Sequence, residues 1–140
     1  MAKKKVVAVS GGFDPIHIGH VRMIRAASKL GDELVVILNT DRFLKDKKDF
    51  IFMPFEERKE ILESIAGVSR VVECIDRDQT VCETLAQLKP DIFANGGDRK
   101  DEDDIPEHDV CAQHGIEMVF NVGEGGKVQS SSELAKRMKK

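Results

Sequence analysis

Several side-chain types that would support particular functions are scarce in this 140-residue sequence. It contains no tryptophan and no tyrosine, and seven phenylalanines are its only large aromatic side chains. Flat surface for stacking against a planar ligand is therefore limited. No apolar run approaches the roughly 20 residues that cross a bilayer, and the lysine-rich start is not followed by the apolar segment of a signal peptide. These absences argue against a membrane protein and a secreted one.

Cysteine and net positive charge are also scarce. Cys74, Cys82 and Cys111 form no CxxC pair, and an odd number of cysteines without a secretory signal predicts reduced thiols. The formal net charge of -3 provides no strong positive field for nonspecific binding of nucleic acid. We expect a cytoplasmic protein that forms one domain over residues 1–140 and binds neither nucleic acid nor membranes.

Short apolar runs alternate with segments of helical spacing along the chain. Buried strands are predicted at Val6–Val9, Glu33–Leu38, Arg70–Cys74, Asp91–Ala94 and Glu117–Asn121. Helices are predicted over Val21–Leu30, Glu56–Ala66, Gln79–Leu88 and Pro106–His114, and after Ser130. This order predicts an α/β fold, namely a doubly wound, five-stranded parallel Rossmann-like sheet with helices on both faces.

The first strand leads into a turn with the sequence GGFDPIHIGH. Gly11 and Gly12 allow a ligand to approach the backbone closely, and the helix that follows presents its positive end to an anion. The pattern is neither GxGxxG nor GxxxxGK[ST], which argues against a dinucleotide fold and a kinase-type P-loop. His17 and His20 lie on one side of the helix start, and their spacing alone allows metal binding, anion binding or packing.

GGFDPIHIGH resembles the signature of the nucleotidyltransferase superfamily of cytidylyltransferases and class I aminoacyl-tRNA synthetases, and His17, Gly19 and His20 match its HxGH motif. The resemblance continues through NTDRFLKDKK, MPFEERKEIL, PDIFANGGD and the closing SSS. It points to the small branch that includes glycerol-3-phosphate cytidylyltransferase, archaeal FAD synthase and the nucleotidyltransferase domain of ADP-heptose synthase.

This resemblance implies transfer of NMP from CTP or ATP to a small phosphorylated acceptor, such as a polyol or sugar phosphate, with release of pyrophosphate. Mg²⁺ is expected to arrive on the nucleotide phosphates, with no metal ligands assigned to the protein. The implied catalytic residues are His17, His20, Lys45 and Arg58. The implied nucleotide-binding residues are Gly11, Gly12, Phe13, Gly19, Asn95, Gly97, Asp98, Ser130, Ser131 and Ser132. Asp14 and Lys47 are assigned to the acceptor.

Several of these residues also have a purely structural interpretation. Lys45 and Lys47 fall in a predicted loop, where a KDKK run is commonly solvated. The structural interpretation of Arg58 is a surface salt bridge with Glu56 or Glu57, which would contribute little to stability. Asp14 has the position to bind the acceptor or Mg²⁺, or to cap the turn before Pro15. The segment from Ser130 to Glu133 reads as a helix capping box.

Two departures from the family pattern affect the choice of function. Ala135 stands where a basic residue often follows the serines, and Asn95 replaces the lysine of the KGGD segment of heptose nucleotidyltransferases. The alternatives are an FMN adenylyltransferase, which the scarcity of aromatic side chains disfavours, and a noncatalytic nucleotide-binding module. A truncated tRNA synthetase relative is disfavoured because 140 residues leave no room for an anticodon-binding region. The apolar segment 50–55, with the sequence FIFMPF, predicts a homodimer interface.

Overall fold

Five parallel strands form one sheet in the part of the chain that the structure describes. The structure is a computed structural model that describes residues 4–48, 50–76, 80–95 and 107–119, without the side chains of residues 46–48 and 108. The strands are β1 Val6–Gly11, β2 Glu33–Leu38, β3 Arg70–Glu73, β4 Ile92–Ala94 and β5 Glu117–Val119. The helices are α1 Ile18–Ser28, α2 Asp41–Lys48, α3 Phe55–Glu63, α4 Cys82–Leu88 and α5 His108–His114.

The strands are arranged in the order β3-β2-β1-β4-β5, which places β1 at the centre of the sheet. Val9 of β1 pairs with Val36 of β2, and Ala8 pairs with Phe93 of β4. The chain therefore winds outward from β1 in both directions, and the switch point lies at the carboxyl end of β1. In an open parallel sheet this is where ligands bind.

Two apolar clusters cover the two faces of the sheet, because neighbouring residues along a strand point to opposite sides. On one face, Val9 and Val36 pack with Ile24 of α1 and Leu62 of α3. On the other face, the cluster contains Ala8, Ile37 and Phe93 from the strands, Leu85 from α4 and Cys111 from α5. The predicted doubly wound α/β fold with helices on both faces is confirmed.

The segment after β2 differs from its prediction. Lys45 and Lys47 lie within α2, and the prediction that they lie in a loop is wrong. Thr40 caps this helix, since its Oγ1 accepts the N–H of Phe43 at 3.1 Å. Phe43 and Leu44 are buried, so one side of the helix is held against the protein, while Arg42 and Lys45 are exposed. Because KDKK contains only charged residues, the sequence did not indicate this short amphipathic helix.

The other elements depart from their predicted limits mainly at the ends. β1 continues through Gly11, two residues beyond the predicted Val9. The N-terminal parts predicted for α4 and α5, the end predicted for β5 and the helix predicted after Ser130 fall wholly or partly outside the described residues. Among the described helices, none combines the length and apolar character needed to span a membrane.

Candidate active site

The turn from β1 to α1 is shaped by close contacts on both sides. Phe13 adopts a left-handed backbone conformation with φ of 50°, and its ring is buried. A Cβ atom at Gly12 would lie 2.5 Å from Cδ2 of Leu44, so the glycine lets α2 pack directly against the turn. The turn is thus held between the protein interior and α2, and it leads straight to the two histidines.

His17 and His20 cap the start of α1 with their own rings. His17 is the N-cap residue, and its Nδ1 accepts the N–H of Gly19 at 3.1 Å. In return, Nδ1 of His20 accepts the N–H of His17 at 3.2 Å. This is the reciprocal pattern of a capping box, built from imidazoles in place of the usual hydroxyl and carboxylate.

The capping bonds determine which nitrogen of each imidazole carries the proton. Because Nδ1 accepts a hydrogen bond in both rings, the hydrogen-bond network assigns the proton of the neutral ring to Nε2. The two rings are stacked at 3.9 Å between centroids with 22° between their planes, so the two imidazoles lie against each other at the helix start. The edge contact of Phe13 with His20, at 4.8 Å, holds the stack in place. The arrangement supplies two N–H donors beside the positive end of a helix that has no acidic residue in its first turn.

Asp14 is buried and joins the turn to the segment before α3. Its carboxylate oxygens accept the N–H groups of Phe52, at 2.8 Å, and Met53, at 2.7 Å. The carboxylate thus caps backbone groups 38 and 39 residues away, in addition to its place beside Pro15. These two distant backbone partners were not predicted from the sequence.

Arg58 lies beneath the same turn and is only 1% exposed. Its Nη1 donates to the carbonyl oxygens of Gly12, at 2.9 Å, and Asn39, at 2.8 Å, and its Nε donates to that of Met53 at 2.9 Å. Its Nη2 forms a 2.7 Å ion pair with Asp41. The predicted alternative of a surface salt bridge with neighbouring glutamates is wrong, because the guanidinium points into the protein.

Sequence comparison agrees with this geometry. The sequence profile of the cytidylyltransferase-like family matches residues 8–135. The chain belongs to the cytidylyltransferase-like family. The matched region contains all of the turn, both histidines and Arg58, and membership in the family supports nucleotidyl transfer as the class of reaction.

Individual relatives cover this cytidylyltransferase-like chain to different extents. The bifunctional protein HldE of Salmonella arizonae is 34% identical over 139 residues, which is 93% of this chain and 29% of that protein, and HldE of Salmonella paratyphi B gives the same values. The chain thus spans under a third of the length of these curated relatives. A solved structure, the lipopolysaccharide core biosynthesis protein from Thermoplasma volcanium GSS1, has a TM-score of 0.75 at 24% identity, and covers 88% of this chain and 100% of its own. At that identity it shows the shared fold.

The remaining predicted site residues of the cytidylyltransferase-like domain are described to different degrees. Lys45 is exposed on α2, and the side chain of Lys47 is outside the described set. Asn95 is buried directly after β4, where its N–H donates to the carbonyl oxygen of Val119 at 2.7 Å. Asn95 thus lies at the carboxyl edge of the sheet, which is the edge where ligand binding is predicted. Five predicted nucleotide-binding residues lie outside the described ranges, namely Gly97, Asp98, Ser130, Ser131 and Ser132.

Two site residues were missed by reasoning from the sequence. Asn39 and Asp41 follow β2 in NTD, and the structure brings both to Arg58. A signal for them was present, since polar residues directly after a buried parallel strand lie at the ligand-binding edge of the sheet. The family resemblance assigned the lysines that follow them, Lys45 and Lys47, to the site instead.

Two cysteines of the cytidylyltransferase-like domain, Cys74 and Cys111, are buried. Burial raises the pKa of the Cys111 thiol to about 11, and the Glu107 carboxylate contributes in the same direction. Burial also raises the pKa of Cys74. Both thiols are therefore protonated near pH 7, and a protonated, buried thiol is inert.

Proposed function

We propose that this chain transfers NMP from CTP or ATP to the phosphate of a small sugar or polyol phosphate and releases pyrophosphate. The observation that carries the proposal is the imidazole capping box at the positive end of α1, in which both Nδ1 atoms accept backbone N–H groups and Nε2 therefore carries the proton of each neutral ring. Phosphate oxygens are acceptors and carry negative charge, so this arrangement suits a triphosphate. The family membership supports the same class of reaction.

In the proposed reaction, an oxygen of the acceptor phosphate attacks the α-phosphorus of the nucleotide. The bond from the α-phosphorus to the bridging oxygen breaks, and pyrophosphate leaves with the electron pair of that bond. Negative charge grows on the bridging oxygen, and N–H donors from His17 and His20 stabilise it. No covalent intermediate with the protein is needed. Mg²⁺ enters as part of the nucleotide substrate, bound to the phosphates.

The other groups of the site have supporting roles in this proposal. We propose that Lys45, which is exposed on α2, contacts the phosphates, and we assign Lys47 to the acceptor. Arg58 and Asp14 are engaged with backbone groups, so we propose that they position the turn. In this proposal Arg58 acts through its hydrogen bond to Gly12. It is a positioning residue, whereas the sequence led us to expect a guanidinium that takes part directly in catalysis.

The choice of acceptor rests on the sequence. NGGD, with Gly97 and Asp98, is similar to the KGGD segment of heptose nucleotidyltransferases, which favours a sugar phosphate. The scarcity of flat aromatic side chains disfavours FMN.

A pyrophosphate-release assay tests the proposed function. CTP and ATP are each paired with glycerol 3-phosphate, sugar 1-phosphates and FMN. Release that requires both a nucleotide and a sugar or polyol phosphate supports the proposal. Release with FMN alone among the acceptors would identify an FMN adenylyltransferase, and nucleotide binding without any release would identify a noncatalytic module, which Ala135 would then help to explain.

The serine-rich segment gives a prediction for nucleotide affinity. Ser131→Ala combined with Ser132→Ala should raise the KM for the nucleotide, because two hydroxyl donors to its phosphates are removed. Ser130→Ala is measured for comparison, since this hydroxyl is the predicted helix cap as well as an implied phosphate ligand, and its loss should lower thermal stability in addition to raising the KM. Steady-state kinetics and thermal melts measure both. If the double variant had a lower melting temperature and an unchanged KM, these serines would serve only to cap the helix.

We also propose a homodimer with the segment 50–55 at or near the interface. Phe50 and Phe52 form an edge-to-face pair with centroids 5.2 Å apart, and both side chains are half-buried. Phe55 packs against the core of its own subunit, which leaves the preceding residues as the apolar surface. Complete burial of such a side chain would contribute about 1.5 to 3 kcal/mol.

Light scattering at micromolar concentration should therefore give a dimer, and Phe52→Asp should convert it to the 15.6 kDa monomer. Ile75→Asp is the control, because Ile75 is an exposed apolar side chain outside the segment and its loss should leave the dimer intact. A wild-type monomer would refute the dimer, and a dimer that resists Phe52→Asp would place the interface elsewhere.

A further inference from the structure

A buried amide lies at the carboxyl edge of the sheet without a hydrogen-bond partner for its oxygen. Asn39 directly follows β2 and is 7% exposed. No residue in the described ranges donates a hydrogen bond to its Oδ1. Buried polar side-chain atoms are nearly always hydrogen-bonded in folded proteins, so each exception calls for an explanation.

The backbone of Asn39 is held from two sides, which fixes the residue beside the glycine turn. Its N–H donates to the carbonyl oxygen of Gly11 at 3.0 Å, and its own carbonyl accepts from Nη1 of Arg58 at 2.8 Å. The same Nη1 donates to the carbonyl oxygen of Gly12 at 2.9 Å. One guanidinium nitrogen therefore joins Asn39 to the turn that leads to His17.

The chemistry of this oxygen differs from that of the groups around α1. The imidazole Nε2–H groups and the helix start are donors, and they suit phosphate oxygens. An amide oxygen is an acceptor only, and it gains nothing from a phosphate that is itself an acceptor. It is matched by a donor, and the proposed substrates carry hydroxyl donors on the ribose and on the sugar or polyol.

We propose that Oδ1 of Asn39 accepts a hydrogen bond from a substrate hydroxyl, which makes Asn39 a specificity-determining residue of this site. The inference rests on the proposed function and deepens it. It explains why a buried acceptor at this edge lacks a partner within the described protein: its donor arrives with the substrate.

The test is Asn39→Leu, which keeps the approximate shape of the side chain and removes its hydrogen-bonding atoms. The melting temperature should be unchanged or higher, because replacing a buried acceptor that has no hydrogen-bond partner by an apolar group changes the free energy of unfolding little. The KM for one substrate should rise about 10-fold or more, because that substrate now buries an unpaired hydroxyl. Asn39→Ala serves as a second variant if the leucine disturbs folding.

Substrate analogues identify which hydroxyl is involved. The 2′-deoxy and 3′-deoxy forms of the active nucleotide, and a deoxy form of the active sugar or polyol phosphate, are compared in wild type and Asn39→Leu. The analogue that lacks the bonded hydroxyl should bind the wild-type protein more weakly than the parent substrate does. In Asn39→Leu, the analogue and the parent substrate should bind equally well. Ser69→Ala is the matched control, because its Oγ contacts β2 at the opposite end, where it accepts the N–H of Leu34 at 3.1 Å, and its removal should alter no KM.

The failures of the two proposals are distinguishable. Wild-type turnover together with unchanged KM values in a folded Asn39→Leu protein would overturn the role of Asn39 and leave the proposed function intact. The role of Asn39 would also be overturned if every deoxy analogue raised the KM by the same factor in wild type and in Asn39→Leu. Absence of turnover in wild type, with no binding of CTP or ATP in calorimetry, would overturn the proposed function and this inference with it.

Discussion

His17→Asn should lower kcat for pyrophosphate release by about 100-fold or more while the melting temperature stays close to that of wild type. Asparagine is a favoured N-cap residue, so its side-chain oxygen can take over the bond that Nδ1 of His17 makes to Gly19. It has no counterpart of the Nε2–H that we assign to the leaving oxygen. The substitution therefore separates the capping function of the ring from its catalytic function.

His20→Gln makes the same separation at the other ring. Glutamine is favoured at the third position of a capping box, and its side chain can reach back to the N–H that Nδ1 of His20 now binds. The expected result is again a loss of about 100-fold or more in kcat with a small change in stability. Steady-state rates and thermal melts of the two variants provide the measurement.

The alanine variants complete the comparison. His17→Ala removes both functions, so it should lose activity and also about 1 kcal/mol of stability through the lost cap. If His17→Asn retained wild-type turnover while His17→Ala lost it, the histidine would be required only as a cap. Wild-type turnover in His17→Asn, His20→Gln and His17→Ala alike would end the assignment of these rings to catalysis.

The parts of this site that could be predicted from sequence are those encoded by local order. β2 was predicted with its observed limits because ELVVIL is a short apolar run, the pattern of a strand buried on both faces. The place of His17 and His20 at the start of α1 followed from a strand, a glycine turn and a helix in succession. Neighbours along the chain determine these features, so reading the chain in order is sufficient.

The parts that could not be predicted depend on contacts between distant segments. Asp14 binds backbone groups at Phe52 and Met53, and a carboxylate in the sequence does not indicate which amides it will meet. The carbonyl partners of Arg58 likewise come from three separate segments. An arginine flanked by glutamates suggests a surface pair until the fold shows that the side chain lies on the inner face of its helix.

Arg58 should be the position at which a single substitution costs the most stability. Its buried guanidinium supplies the donors for the carbonyl groups of Gly12, Asn39 and Met53 and pairs with Asp41. Removing the guanidinium leaves three backbone carbonyl oxygens without this donor, at about 1 to 3 kcal/mol for each buried group, so we expect a loss of about 3 to 5 kcal/mol. In a chain of this length, that corresponds to a fall of about 10 to 20 °C in melting temperature for Arg58→Ala.

Arg58→Lys tests whether charge alone is sufficient. An ammonium group has three donors at one point and cannot reproduce the planar fork that reaches separate segments, so the variant should fold with reduced stability and lowered kcat. Glu57→Ala is the matched control, since Glu57 is an exposed neighbour on the same helix and its loss should shift the melting temperature by about 2 °C or less. Assays run well below the melting temperature of each variant separate loss of fold from displacement of the turn. Full activity and stability in Arg58→Lys would show that the positive charge, and not the fork that joins Gly12 to Asn39 and Met53, is what this position requires.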